Sequence, residues 1–343
     1  MIQALCREIR MTEDYLSKKE LSTIYFGGGT PSILNREELT LIMETISSTY
    51  TWKEGIEITL EANAEDIHPD RLSYWTDIGI NRISMGVQSF HNEDLVPMNR
   101  SHDASTARSS LDLLASHEGF DISIDLIYGS ATTSHKMWEE NVDTFLQYDL
   151  DHLSAYCLTV EEGTALHHHI KNNKTLPPIP ENAIVQFDYL MDKMEAHGYE
   201  HYEISSWARK NKYARHNSNY WKHISYLGIG PSAHSYNGTE RRWNIPNNAK
   251  YLSSIESGSL VYESELLSET NLFNEKVMTQ LRTMWGIDVE GFKEEDKAHL
   301  RKHIPTLVQD GFITASDSRI ILTRKGKHMA DYITAELIKD SDD

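Results

Sequence analysis

Three consecutive glycines, Gly27-Gly28-Gly29, follow the apolar run at 23–26, and Thr30-Pro31 follow them. A backbone that bare lets a ligand approach closely, because no Cβ intervenes. Its N–H and C=O groups can then bind an amino or carboxylate group. The spacing is not that of a P-loop, which needs a Lys, nor of the G-x-G-x-x-G dinucleotide fingerprint. Glu61, Gln88 and Asp125 stand in or at the ends of three later apolar runs, 56–63, 82–90 and 121–129. Carboxylates there can accept hydrogen bonds from an ammonium or a ribose hydroxyl, and Arg100 offers a bidentate fork to a carboxylate. Each has a plainer alternative when taken alone: a tight turn, a structural carboxylate, a surface ion pair.

The elements that position these residues alternate. Apolar strand patterns at 23–26, 56–63, 82–90, 121–129 and 152–160 are separated by helical patterns at 35–50, 68–79, 103–118 and 135–148. Asn35 and Glu38 predict a capping box for the first of these helices. Such alternation predicts β/α units and a mainly parallel sheet, with chemistry at the strand C-termini. An amphipathic helix is expected over 2–19 and a helix over 181–197, with a polar loop at 161–180 and an aperiodic connector at 240–262. From about Leu266 two helices (271–284 and 292–308), a hairpin and a last helix predict a small winged-helix-like module. The expected division is a β/α domain over 1–258 and this module over 259–343.

The net charge is −19, from 33 basic and 52 acidic residues, which argues against nucleic acid and anionic membranes as partners. The C-terminal module lacks a basic footprint as well: from Asn271 onward there are 11 Lys and Arg against 13 Asp and Glu. No apolar run approaches about 18 residues, and the N-terminus has no signal-peptide pattern. With two cysteines, Cys6 and Cys157, a disulfide framework is not expected, and the cytoplasm is the expected compartment.

The motifs "YFGGGTPS", "LEAN", "RISMGVQSF", "MNRSH", "DLIYG" and "LTVEEGT" occur in this order. Together they resemble the HemN/HemW family of radical S-adenosylmethionine (SAM) proteins, which includes the oxygen-independent coproporphyrinogen III oxidase and a related haem chaperone. The resemblance runs over nearly the whole chain. It implies an α/β fold, a partial (β/α)6 TIM-like barrel followed by a small C-terminal winged-helix-like α+β module. It also implies SAM at the barrel mouth, with Gly28, Gly29 and Thr30 at its methionyl end and Glu61, Gln88, Arg100 and Asp125 as further contacts. Two turns near the mouth depart from the family pattern: Ala64 stands where Pro is usual, and Ser130-Ala131 where Leu-Pro is usual.

The family's C-x-x-x-C-x-x-C motif, whose three thiolates hold a [4Fe–4S] cluster, has no counterpart here. Two isolated thiols cannot replace it, so the expectation is a chain that lacks the first barrel strand and the cluster loop and does not cleave SAM reductively as given. A truncated chain is the favoured explanation, a paralogue that lost its cluster the other. An open sheet edge is expected at the N-terminal side.

Within 215–236, His216-Asn217-x-x-Tyr220-Trp221 matches the H-N-x-x-Y-W signature of HemW-like proteins, which the resemblance associates with haem. His216 could supply an axial imidazole, and Tyr220 and Trp221 could stack on a porphyrin face. Local packing is the alternative. The Gly-rich "LGIGPSAHSY" (227–236) would permit close approach of SAM or porphyrin, with His234 as a pocket candidate. His167-His168-His169 are expected to be solvated, because three successive residues of a loop cannot converge on one metal. The resulting expectation is a HemW-like protein of haem metabolism that binds SAM and haem, with haem-accepting apoproteins as partners. The alternatives are an oxidase that decarboxylates coproporphyrinogen III and a non-enzymatic, cluster-less binding protein.

Overall fold

The computed structural model describes residues 1–340. Its helices are α1 (Ile2–Met11), α2 (Arg36–Thr49), α3 (Pro69–Asp77), α4 (Asn92–Leu95), α5 (Ala104–Ser116), α6 (His135–Gln147) and α7 (Ala165–Lys171). They continue with α8 (Pro180–Ala196), α9 (Arg215–Trp221), α10 (Asn248–Glu256), α11 (Glu269–Gln280), α12 (Glu294–Gln309), α13 (Arg324–Lys327) and α14 (Ala330–Leu337). The strands of the large sheet are β1 (Glu20–Phe26), β2 (Thr51–Asn63), β3 (Arg82–Gln88), β4 (Asp121–Tyr128), β5 (His152–Cys157), β6 (Glu200–Glu203) and β7 (Ser206–Ala208). Their order is β1-β2-β3-β4-β5-β7-β6. Strands β2 to β5 pair in parallel, and β7 and β6 close the far edge antiparallel. This is the curled half-barrel of the expected fold class.

By contact the chain forms two compact units, one of residues 24–34 and 57–214, the other of 1–23, 35–56 and the chain from Arg215 onward. In the first unit, register explains how the sheet sorts its faces. Glu61, Ser84, Ser123 and His152 stand side by side on four strands, and Asn63, Gly86, Asp125 and Ser154 form the next row on the same face. The alternate residues Leu60, Ile83, Met85, Ile124, Leu126 and Leu153 are fully or almost fully buried. The apolar face therefore packs beneath helices that bury Leu72, Trp75, Leu111, Trp138, Phe145 and Leu190, and the polar face is left for function.

Two of the turns that depart from the family pattern are held by their own bonds. The carbonyl of Ala64 accepts from Ser110 Oγ at 2.6 Å. The turn after β4 is fixed by Gln186, which accepts from the Gly129 N–H at 2.7 Å and donates to the Thr133 carbonyl at 2.9 Å. Buried Asp94 accepts from the hydroxyls of Ser89, Thr132 and Thr133, each at 2.8 Å.

In the second unit α1 ends at Met11 rather than 19. The Thr12 hydroxyl bonds back to the Glu8 carbonyl at 2.8 Å, and a polar turn leads into β1. The α2 capping box is present, with Glu38 N–H on Asn35 Oδ1 at 2.9 Å and Asn35 N–H on Glu38 Oε2 at 3.0 Å. The stretch 240–262 is not a bare connector. It holds β9 (Glu240–Asn244) and α10, and β9 pairs with β8 (His234–Tyr236) and β10 (Tyr262–Leu266) in a three-stranded antiparallel sheet. Buried Glu8 ties this region together, accepting from Gly230 N–H (2.8 Å), Asn244 Nδ2 (2.6 Å) and Tyr251 OH (2.6 Å). The C-terminal module has α11 and α12, a small sheet of β11 (Ile287–Asp288), β13 (Arg319–Leu322) and β12 (Ile313–Ala315), and the closing helices α13 and α14.

Candidate functional site

The C-terminal ends of β1 to β4 bring the sequence candidates of the first unit to one polar face. At the end of β1 the chain runs through the glycines, and only one of the three is crowded. A Cβ on Gly27 would lie 2.6 Å from Tyr25 Cε1 and 2.8 Å from Glu61 Oε1. Gly28 has φ of +76° with open space around it, and Gly29 is also open. So Gly27 lets Glu61 close in, while Gly28 supplies the left-handed turn. Neither Gly27 as a steric requirement nor Tyr25 was assigned a role from sequence. Tyr25 OH donates to Glu61 Oε1 at 2.6 Å, and the alternation Tyr25-Phe26-Gly27 on a strand was the available signal. Thr30 and Pro31 lead into a 3-10 turn pinned from below. Ser32 Oγ donates to Asp66 Oδ2 at 2.7 Å, and Arg71 bridges Asp66 and the Ser32 carbonyl.

Asp125 is the electrostatic centre. Burial, then the neighbouring carboxylate of Glu61, pushes its carboxyl up to about 7, and hydrogen bonds from Ser154 and Ser84 and the charge of Arg100 only partly offset this. Arg100 is exposed; partial desolvation lowers its guanidinium, and Asp125 and Glu65 oppose that shift. Gln88 is buried at the end of β3 with φ of +67°, at a β-bulge after Gly86. A Cβ on Gly86 would lie 2.9 Å from Gln88 Nε2, so this glycine is what lets the amide fold over the inner face.

These residues fit a cationic amino-acid ligand. The open glycine turn offers backbone groups, Glu61 and Asp125 supply acceptors whose mutual repulsion a positive charge relieves, and Arg100 supplies a donor fork. Gly27→Ala is expected to break the Tyr25–Glu61 bond and to weaken the binding of such a ligand about tenfold or more. Gly28→Ala meets no atom and is expected to cost only the roughly 1 kcal/mol of a strained φ. Calorimetric titration of both variants checks the contrast; equal losses would refute it.

In the second unit, α9 carries the H-N-x-x-Y-W residues. His216 Nδ1 lies 2.9 Å from Thr23 Oγ1, and His216 Nε2 lies 3.0 Å from Tyr220 OH. Desolvation holds the imidazole down at about 4, so it is neutral at physiological pH. Tyr220 is 41% exposed, and its ring meets Tyr226 edge-on at 4.7 Å. Trp221 Nε1 is buried with no hydrogen-bond partner among the described residues. His234 is exposed on β8 and stacks on Trp243 at 6.0 Å. The glycines before it serve their own chain: a Cβ on Gly228 would lie 2.1 Å from the His234 carbonyl oxygen, and Gly230 bonds Glu8.

His167, His168 and His169 lie in α7 rather than in a loop, where successive side chains diverge by about 100°. Among the described residues no group of three or more His, Cys, Asp or Glu is placed to hold a metal. Cys6 is buried on α1 and Cys157 is exposed at the end of β5. Among the described residues no helix is long and apolar enough to cross a membrane.

The Radical SAM superfamily matches residues 5–154 and the HemN C-terminal domain matches 267–328. The heme chaperone HemW of Bacillus subtilis is 31% identical, covering 95% of this chain and 88% of the relative. That of Mycobacterium tuberculosis is 30% identical, covering 98% and 85%. The crystal structure of HemN, the coproporphyrinogen III oxidase of Escherichia coli, superposes with a TM-score of 0.83 over 98% of this chain and 82% of its own, at 21% identity, a likeness of fold. With matching motifs in order, a half-barrel whose polar face gathers them, and relatives at this identity over nearly the full length, the chain belongs to the HemN/HemW family of radical SAM proteins.

Proposed function

We propose that this chain binds SAM at the strand ends of the half-barrel and haem at α9, and acts in haem handling as a HemW-like protein. The observation that carries the SAM half is the Asp125–Glu61 pair beside Arg100, where burial first and the neighbouring Glu61 carboxylate second hold a proton on Asp125 up to about 7. Gly28, Gly29 and Thr30 would hold the methionyl end. Glu61 and Asp125 would accept hydrogen bonds from its ammonium and ribose hydroxyls, Arg100 would fork its carboxylate, and Gln88 would fix the nucleoside. When bound, SAM supplies a sulfonium-linked adenosyl group. The two cysteines do not supply a cluster, so no reductive cleavage is derived for this chain.

The haem half is supported by the neutral His216, the form that ligates iron, and by the exposed ring of Tyr220 beside it. The relatives are named heme chaperones, which favours this reading over the oxidase, whose likeness is one of fold. Delivery to haem-accepting apoproteins in the cytoplasm is the place this function would take.

The test is a pair of titrations. Haem is expected to bind the wild type with one saturable site and His216→Ala at least tenfold more weakly. SAM is expected to bind both proteins equally. Weak, nonspecific haem binding that is identical in the two proteins would falsify the haem half; absence of SAM binding in the wild type would remove the other.

A further inference from the structure

We infer that His102 is a positioning residue of the strand-end site, the side chain that keeps Gln88 in its strained turn and joins the segments carrying Glu61, Gln88 and Arg100; this rests on the SAM reading above. Ser89 N–H donates to the Val87 carbonyl at 2.9 Å across Gln88, whose φ is +67°. A three-residue turn with positive φ at its centre is the rare, strained form of the γ-turn, and it persists only where the surroundings fix it. The same Val87 carbonyl lies 3.1 Å from His102 Nε2, and His102 is 5% exposed. A second bond on that oxygen fixes the peptide plane that aims Gln88 over Gly86, in the row of Asn63 and Asp125.

The other ring nitrogen reaches the neighbouring strand end. His102 Nδ1 lies 3.4 Å from Glu65 Oε2, and Ser101 Oγ donates to Glu65 Oε1. Glu65 sits in the 3-10 turn directly after β2, four residues past Glu61. Asp103, the next residue in sequence, caps α5 by accepting from Thr106 N–H at 2.7 Å, and α5 is tied to the same turn through Ser110 and the Ala64 carbonyl. Arg100 is thus two residues from a side chain that is hydrogen-bonded to the end of β3 and packed against the turn after β2, with Ser101 beside it bonded to that turn. The motif "MNRSH" gains a division of labour: Arg100 meets the ligand and His102 holds its neighbours in place.

The test compares His102→Leu, which keeps bulk without a donor, with His102→Gln, whose amide can still donate to the Val87 carbonyl. SAM affinity is expected to fall about tenfold or more in His102→Leu and to stay within about threefold of wild type in His102→Gln, with both folded by circular dichroism. Equal losses in the two variants would show that only packing matters and overturn the inference, as would no loss in either. If the wild type does not bind SAM, the reading of the site fails, and the positioning role is read from hydrogen exchange instead. The Ser89 amide is then expected to exchange at least about tenfold faster in His102→Leu alone; an unchanged rate overturns it.

Discussion

Asp125→Asn is expected to make the protein more stable at about pH 8 and to leave it nearly unchanged at about pH 4.5. The folded-state value of Asp125 is raised to about 7, chiefly by burial and then by Glu61. The folded protein therefore keeps a proton that the unfolded carboxyl has released. That contribution is intact below the unfolded value near 4 and is lost as pH climbs through about 7. Above pH 7 the wild type holds a desolvated carboxylate beside Glu61, and an amide of the same shape removes that repulsion. The full shift corresponds to roughly 4 kcal/mol; with partial solvent access at the mouth, about 2 kcal/mol is the expected gain. Urea unfolding at the two pH values measures it, and a variant less stable than wild type at the higher pH would refute the assignment.

The same proton gives a signature of binding. A cationic ligand at the mouth favours the ionised Asp125, so SAM is expected to release more than half a proton per molecule bound at about pH 6.5. Titration in two buffers of different ionisation enthalpy reads this directly, and Asp125→Asn should abolish it. Proton release that survives in the variant would place the titrating group elsewhere.

The strand-to-helix alternation was legible because apolar runs and capping residues act locally, and Asn35 with Glu38 forms the box that their spacing predicts. The shared face of Glu61 and Asp125 was legible for the same reason: a polar residue set within an apolar strand run turns away from the packed face, and Gln88 ends its strand. Helix α1 stops at Met11, where the amide and the hydroxyl of Thr12 both close on the Glu8 carbonyl, a local detail that periodicity does not register. The segment 240–262 hid its strand and helix because their order comes from partners distant in sequence, Glu8 above all, rather than from its own pattern. Gly27, Tyr25 and His102 were missed as site residues because their roles are contacts with Glu61 and Val87, which no spacing rule reports.

At α9 the structure imposes a condition on haem. Both ring nitrogens of His216 are occupied, Nδ1 by Thr23 and Nε2 by Tyr220, so an iron can take Nε2 only when the Tyr220 hydroxyl leaves. Tyr220→Phe keeps the exposed ring for stacking and removes the competing hydroxyl. Its expected effect is tighter haem binding, by about threefold to tenfold, because one hydrogen bond no longer has to break. Thr23→Val acts in the opposite direction. Thr23 fixes the ring orientation from the second nitrogen, as partners of ligating histidines do, and losing it is expected to weaken haem about tenfold. Optical titration of the two variants beside the wild type gives opposite displacements if His216 is the ligand through Nε2. Movement in the same direction would mean that Tyr220 binds haem through its hydroxyl, and no movement in either would mean that haem does not use this imidazole.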